Sequence, residues 1–177
     1  MLQRLKSAQK GFTLVEILIV VALIAILAVI ALVTINPAEA QKRSRDARRI
    51  KELGTLQGIV EQYLADNPDF VGGTAASTDA GGNSCSSGWI SASGMDVCNY
   101  ANTVPTDPLN RSAEFVQSDG TVTTGDVYYQ VLIDANLRYR ICTRLESAAN
   151  QAKLGEDGTD NDWFEVYSST AAAVCGS

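Results

Sequence analysis

A chain of 177 residues suffices for one modest domain with an appendage and is too short for two sizeable cores. It has no histidine, which excludes Ser-His and Cys-His nucleophile pairs, and it shows neither a glycine-rich phosphate loop nor a metal motif. The formal charge is −6, but from Asp66 to Ser177 five Lys or Arg stand against fifteen Asp or Glu, a net of −10. A surface of that sign repels phosphate backbones and anionic headgroups, so direct nucleic-acid binding by this part is not expected.

The first eleven residues carry Arg4, Lys6 and Lys10 and no acid, which predicts a cytoplasmic N-terminus with the remainder exported. From Ile17 to Ile35 nineteen residues pass without a charge, roughly 28 Å as a helix, close to the hydrocarbon thickness of a bilayer. One carboxylate, Glu16, sits at the head of this run. A secretory signal cut behind Ala38-Glu39-Ala40 is one alternative, with a released binding domain as its product. That run is longer than such signals use, and neither it nor a plain single-pass anchor accounts for Glu16. All four cysteines lie beyond the apolar segment, where an oxidising compartment permits disulfides.

The stretch Gly11-Phe12-Thr13-Leu14-Val15-Glu16, followed by the apolar helix, resembles the N-terminal signature of type IV prepilins and the related pseudopilins. The likeness covers residues 1–67 and is architectural beyond them. It implies that a membrane peptidase and methyltransferase cuts after Gly11 and methylates the new N-terminus at Phe12, and that Glu16 is the acid on which assembly depends. Glu16 lies one helical turn from Phe12, so it can neutralise the new α-ammonium in its own chain or a neighbour's, and a head-to-tail contact that does not close builds an open helical filament. The bland reading of Glu16 is an acid complementing the helix dipole. The implied partners are further copies of the chain in a helical homopolymer, a membrane assembly platform and, through it, a cytoplasmic assembly ATPase.

Pro37 removes a backbone donor and clashes with the preceding turn, which predicts a kink. Ile50, Leu53, Leu56, Val60, Tyr63 and Leu64 then recur at three- and four-residue steps, an apolar stripe within a helix from about Ala38 to Ala65 that ends at Asn67-Pro68. Six of the fourteen basic residues fall between Lys42 and Lys51 with no aromatic among them. They read as a solvated helix face, or one meeting acidic neighbours in a filament.

Val71 to Asn102, rich in Gly, Ser, Thr and Ala, reads as a long connecting loop. Three cysteine pairings are open. A Cys85–Cys98 bridge would close a loop of about 14 residues, worth roughly 3 kcal/mol, whereas zinc is disfavoured without any Cys-x-x-Cys pair. Val127, Tyr129, Val131 and Ile133, and after a turn near Ala135-Asn136 the set Leu137, Tyr139, Ile141 and Leu145, alternate with polar residues as a hairpin facing the helix. A strand near Glu114 to Gln117, with a turn at Asp119-Gly120, should join the same meander, extended by Trp163 to Tyr167. Cys142 falls in register with the arginines on the opposite face, so a cover is needed there, and the tail carrying Cys175 is the nearest candidate.

The acidic loop 155–162 holds Asp157, Asp160 and Asp162, which would suit calcium, but the spacing is not that of an EF-hand and a solvated turn is the expectation; no cofactor is expected. No enzyme is expected either, although a carboxylate pair for glycoside chemistry stays open among fifteen acids. The fold expected is α+β, a type IV pilin-like ladle. Its parts are a basic leader (1–11), a transmembrane and filament-core helix (12–35), an amphipathic helix (36–66), and an exported domain (67–177) with an αβ-loop (67–112) and an antiparallel sheet with C-terminal segment (113–177). The function expected is a structural subunit of a type IV pilus or related filament, made as a single-pass cytoplasmic-membrane precursor. The alternative within that class is a pseudopilin of a type II secretion system.

Overall fold

The computed structural model describes residues 11–158, 162–169 and 172–176. The leader up to Lys10, and Asp160 of the acidic loop, lie outside the described residues. The chain divides into two units, one ending at Ala40 and the other starting at Gln41.

In the first unit, α1 (Leu14–Ile35) is apolar on every side and its large side chains are exposed all along it. A helix without a polar face needs an apolar surrounding, and Leu14–Thr34 is long and apolar enough to cross a membrane. The helix ends at Asn36, which takes the left-handed conformation (φ 45°) that Asn tolerates better than most residues. The next helix, α2 (Pro37–Asp66), begins at once with its proline in the first helical position, where the missing N–H costs nothing. Asn36 also accepts from the Glu39 N–H through Oδ1 at 3.3 Å, so one residue stops α1 and starts α2. The helix is thus interrupted at Asn36-Pro37, the step where a kink was expected.

The second unit is built on the remainder of α2. Leu53, Leu56, Ile59, Val60, Tyr63 and Leu64 form its buried stripe. The helix stops where Asn67 turns its backbone and side-chain N–H groups onto the Tyr63 carbonyl, at 3.0 and 2.8 Å, just ahead of Pro68. The stripe packs on a four-stranded antiparallel sheet in the order β1 (Gly73–Ala76), β4 (Gln130–Ile133), β5 (Tyr139–Thr143), β6 (Phe164–Tyr167). Tyr129, Val131, Ile133, Tyr139 and Ile141 face the helix residues in one core. Cys142, opposite Gln130 in the register, faces the other way with Leu132 and Trp163, and the C-terminal segment covers it through a Cys142–Cys175 disulfide.

Two expectations need correction and a third needs refinement. The segment expected to be a plain loop supplies β1, a 3-10 turn at Trp89–Ser93, and core residues Ala75, Trp89, Ile90, Met95 and Val97. Gly73 permits this, since a Cβ there would lie 2.1 Å from the Ser93 carbonyl oxygen. The strand near Glu114 does not join the meander: β2 (Arg111–Val116) and β3 (Val122–Val127) form their own two-stranded sheet, because β1 already occupies the edge of β4. Leu145 meets the helix at Ile50, as expected, but in a separate small cluster with Val116 and Leu154 and not in the main core.

Leu56 is fully buried, so Leu56→Ala should cost about 2–5 kcal/mol, whereas Thr55→Ala on the exposed face should stay within about 0.5 kcal/mol. Urea unfolding of the detergent-solubilised chain checks both.

Candidate functional site

Gly11 and Phe12 precede α1 outside any regular element, and Phe12 is 83% exposed. A Cβ added at Gly11 would meet nothing within 4 Å, and its φ lies outside the left-handed range. Nothing in this chain's own fold therefore demands glycine at that position.

Thr13 is the N-cap of α1 and Glu16 stands three residues on, and together they form a capping box. The Glu16 N–H donates to Thr13 Oγ1 at 3.2 Å, while the Thr13 N–H and hydroxyl both donate to Glu16 Oε2 at 2.8 Å. The local reading of Glu16 is thereby realised within one chain. The sequence carried the signal, a Thr-x-x-Glu ahead of an apolar run, and the reading in terms of charge alone missed it.

The basic stretch of α2 is the larger surprise. Expected to be solvated, it is in part a buried ionic seam. Arg49 has no exposure at all; it donates to Asp107 through Nε (2.7 Å) and Nη2 (3.2 Å), and through Nη1 to Asp46 (2.9 Å) and Glu146 (2.5 Å). Arg45 grips the same Glu146 with two hydrogen bonds, and Lys42 reaches Glu114 at 3.1 Å. Asp46 also accepts from the backbone N–H groups of Glu146 and Ser147 and from the Asn150 side chain. Burial pushes the Glu146 carboxyl up, but the hydrogen bonds from Arg45 and Arg49 outweigh it and hold the pKa below the ordinary value. Burial alone would lower the pKa of Arg49; its bonds to Asp107 and Glu146 raise it instead. A helix-period count cannot find this seam, because arginine reads as surface until its partners are placed.

The four cysteines form two disulfides, Cys85–Cys98 and Cys142–Cys175. Beside the second, Arg140 and Glu165 make a fully buried pair at 2.7 Å. Of the acids considered for calcium, Asp157 accepts from the Glu165 N–H at 2.7 Å and Asp162 from the Gln117 side chain at 3.0 Å. The other Asp157 oxygen is buried with no hydrogen-bond partner among the described residues. Burial, reinforced by nearby Glu165, pushes the Asp157 pKa up to about 6.

Residues 6–32 match the family model of the prokaryotic N-terminal methylation motif, the signature of type IV prepilins. No curated protein and no solved structure gives a significant match to the chain. With the apolar helix that follows it, which is long and apolar enough to cross a membrane once, the signature fits a pilin- or pseudopilin-like single-pass membrane precursor. Processing by a prepilin peptidase follows from the motif.

Two outcomes are expected. Arg49→Met would leave Asp46, Asp107 and Glu146 without their shared cation, and should cost about 3–5 kcal/mol in denaturant at pH 7. For Asp157, the unfolded chain releases its proton near 3.9 and the folded chain near 6, so the folded state binds more protons between these values and loses stability as pH rises through that window. Asp157→Asn should accordingly be the more stable protein above pH 7, with the difference closing toward pH 5, as read by thermal unfolding across that range.

Proposed function

We propose that this chain is a pilin, a structural subunit of a type IV pilus or related filament, that is cut between Gly11 and Phe12 and methylated on Phe12 before assembly. The observation that carries the reading is the match of residues 6–32 to the methylation motif at the head of an entirely apolar helix. The freedom at Gly11 supports it: a glycine that the fold does not require is accounted for if the requirement lies in the enzyme that reads it.

Cleavage leaves an α-ammonium on Phe12 at the head of a helix bound for an apolar bundle. Unpaired, either that cation or the Glu16 carboxylate would be costly there. Both hydrogen bonds from Thr13 fall on Oε2 of Glu16, which leaves Oε1 to take an ammonium without disturbing the cap. Each subunit then contributes a cation and an anion, and addition can continue without closing. The partners are other copies of the chain, the prepilin peptidase and methyltransferase, a membrane assembly platform and its cytoplasmic ATPase. The reading assigns no catalytic activity and needs no cofactor.

Glu16→Val makes the segment more apolar and should insert at least as well as the parent, leaving the domain from Gln41 onward equally stable. Filament yield should nonetheless collapse, and Glu16→Gln, which keeps the shape and loses the charge, should be nearly as poor. The measurement is sheared surface filaments against the membrane pool of cleaved subunit. Equal yield from Glu16→Val would refute the assembly role.

A further inference from the structure

The outer face of β5 carries an arrangement that closure by the tail does not require. Glu165 Oε1 lies 3.0 Å from Cys175 Sγ and 2.7 Å from Arg140 Nη1, and Cys142, Glu165 and Cys175 are all buried. One ligand atom from each of these three residues falls within 4.8 Å of the other two. A sulfur in a disulfide has no proton to give, so the carboxylate gains nothing from Cys175 while the bridge is closed. Apolar neighbours would hold a disulfide under the tail equally well, and a buried ion pair beside it adds a desolvation cost that they avoid.

The carboxylate is set in place by its surroundings. The Glu165 N–H donates to Asp157 at 2.7 Å, and a Cβ at Gly158 would collide with Glu165 Oε2, so glycine there leaves the carboxylate its position. The tail is likewise held by more than its sulfur. The Gly176 N–H donates to Gln130 Oε1 at 2.8 Å, Gln130 stands opposite Cys142 in the register of β4 and β5, and Trp163 packs in one cluster with both cysteines. With the S–S bond broken, these contacts keep the two sulfurs beside the same carboxylate.

Two thiolates and one carboxylate are a donor set for a tetrahedral zinc ion, with the fourth position left for water. Thiolates select such an ion over calcium or magnesium. The charges also balance. A dithiol that breaks the bridge by exchange is itself oxidised to a disulfide and leaves two protons on Cys142 and Cys175, and a zinc ion then displaces both protons to solvent. Two thiolates with zinc are neutral, as the bridge is, so the Arg140–Glu165 pair keeps its own balance in either state. Arg140 bonds the same Glu165 oxygen that faces Cys175, which orients the carboxylate as the partners of metal-ligating side chains commonly do.

We propose that Cys142, Cys175 and Glu165 form a redox-gated zinc site, joined by the disulfide under oxidising conditions and by a zinc ion once a dithiol has opened the bridge. Either closure holds the tail over β5. The cysteine spacing gives no sign of the site, because 33 residues separate the two sulfur ligands and the carboxylate comes from a third segment, β6.

The test uses the detergent-solubilised full chain, reduced with excess water-soluble phosphine in urea, returned to buffer without oxygen and titrated with cobalt(II) as a visible stand-in for zinc. A single cobalt ion per chain with a thiolate-to-metal charge-transfer band is expected, bleached by zinc and not by calcium; the oxidised chain should give no band. Cys142→Ser should abolish the band, Glu165→Gln should weaken binding about tenfold, and the double variant Cys85→Ser, Cys98→Ser should bind as the parent does. On the reduced parent itself, zinc should protect Cys142 and Cys175 from alkylation while Cys85 and Cys98 react, as read by peptide mapping, so the outcome does not hang on how any variant folds. No band, a band that survives Cys142→Ser, an affinity indifferent to Glu165→Gln, or equal alkylation of all the cysteines in the presence of zinc would overturn the proposal.

Discussion

Arg49, buried completely among Asp46, Asp107 and Glu146, sets the terms on which α2 can serve as the spine of the domain. The start of that helix is too basic to be covered by apolar surface, and the apolar stripe is continuous only from Leu53 onward. The domain answers with carboxylates on two loops. Asp107, which also accepts the N–H groups of Leu109 and Asn110, arrives ahead of β2, and Glu146 follows β5. In the reverse direction Asp46 reaches from the helix to the backbone at Glu146 and Ser147, where a 3-10 turn begins. Removing one member strands the others as unpaired buried charges, which makes the seam dependent on every partner being present.

Beyond the seam the packing is ordinary: a helix stripe on the inner face of an antiparallel sheet, with the outer face of β5 closed by the tail. Cys142, Trp163 and Cys175 form the apolar part of that closure, and the Arg140–Glu165 pair lies beneath it. The α1 unit obeys a different solvent. Its side chains have no polar stripe, its start is capped by Thr13 and Glu16, and its end is set by Asn36. In the proposed reading the same carboxylate that caps the helix also receives the ammonium of a processed chain, so one residue serves the single subunit and the polymer.

Legibility in the sequence followed physical locality. The α2 stripe, the stop at Asn67-Pro68 and the alternation through Tyr129, Val131 and Ile133 were readable because each depends on spacing along one segment. Cys142 was placed on the correct face for the same reason. The strand Gly73–Ala76 was not readable: Gly-Thr-Ala-Ala has no alternation, and it becomes a strand only because the edge of β4 is open and Gly73 can approach Ser93. The alternating pattern ran unbroken from Val127 to Ile133 across a point where the chain leaves one sheet and enters another, so periodicity concealed the change. Arg49 was invisible for a third reason, since the burial of a charge is decided by partners 58 and 97 residues away.

Whether the chain is a processed filament subunit is tested most directly by the covalent structure of the mature N-terminus. Intact-mass analysis and N-terminal sequencing of the chain recovered from sheared filaments should give a polypeptide beginning at N-methylated Phe12. A chain that still begins at Met1, or a released domain beginning at Gln41, would contradict it.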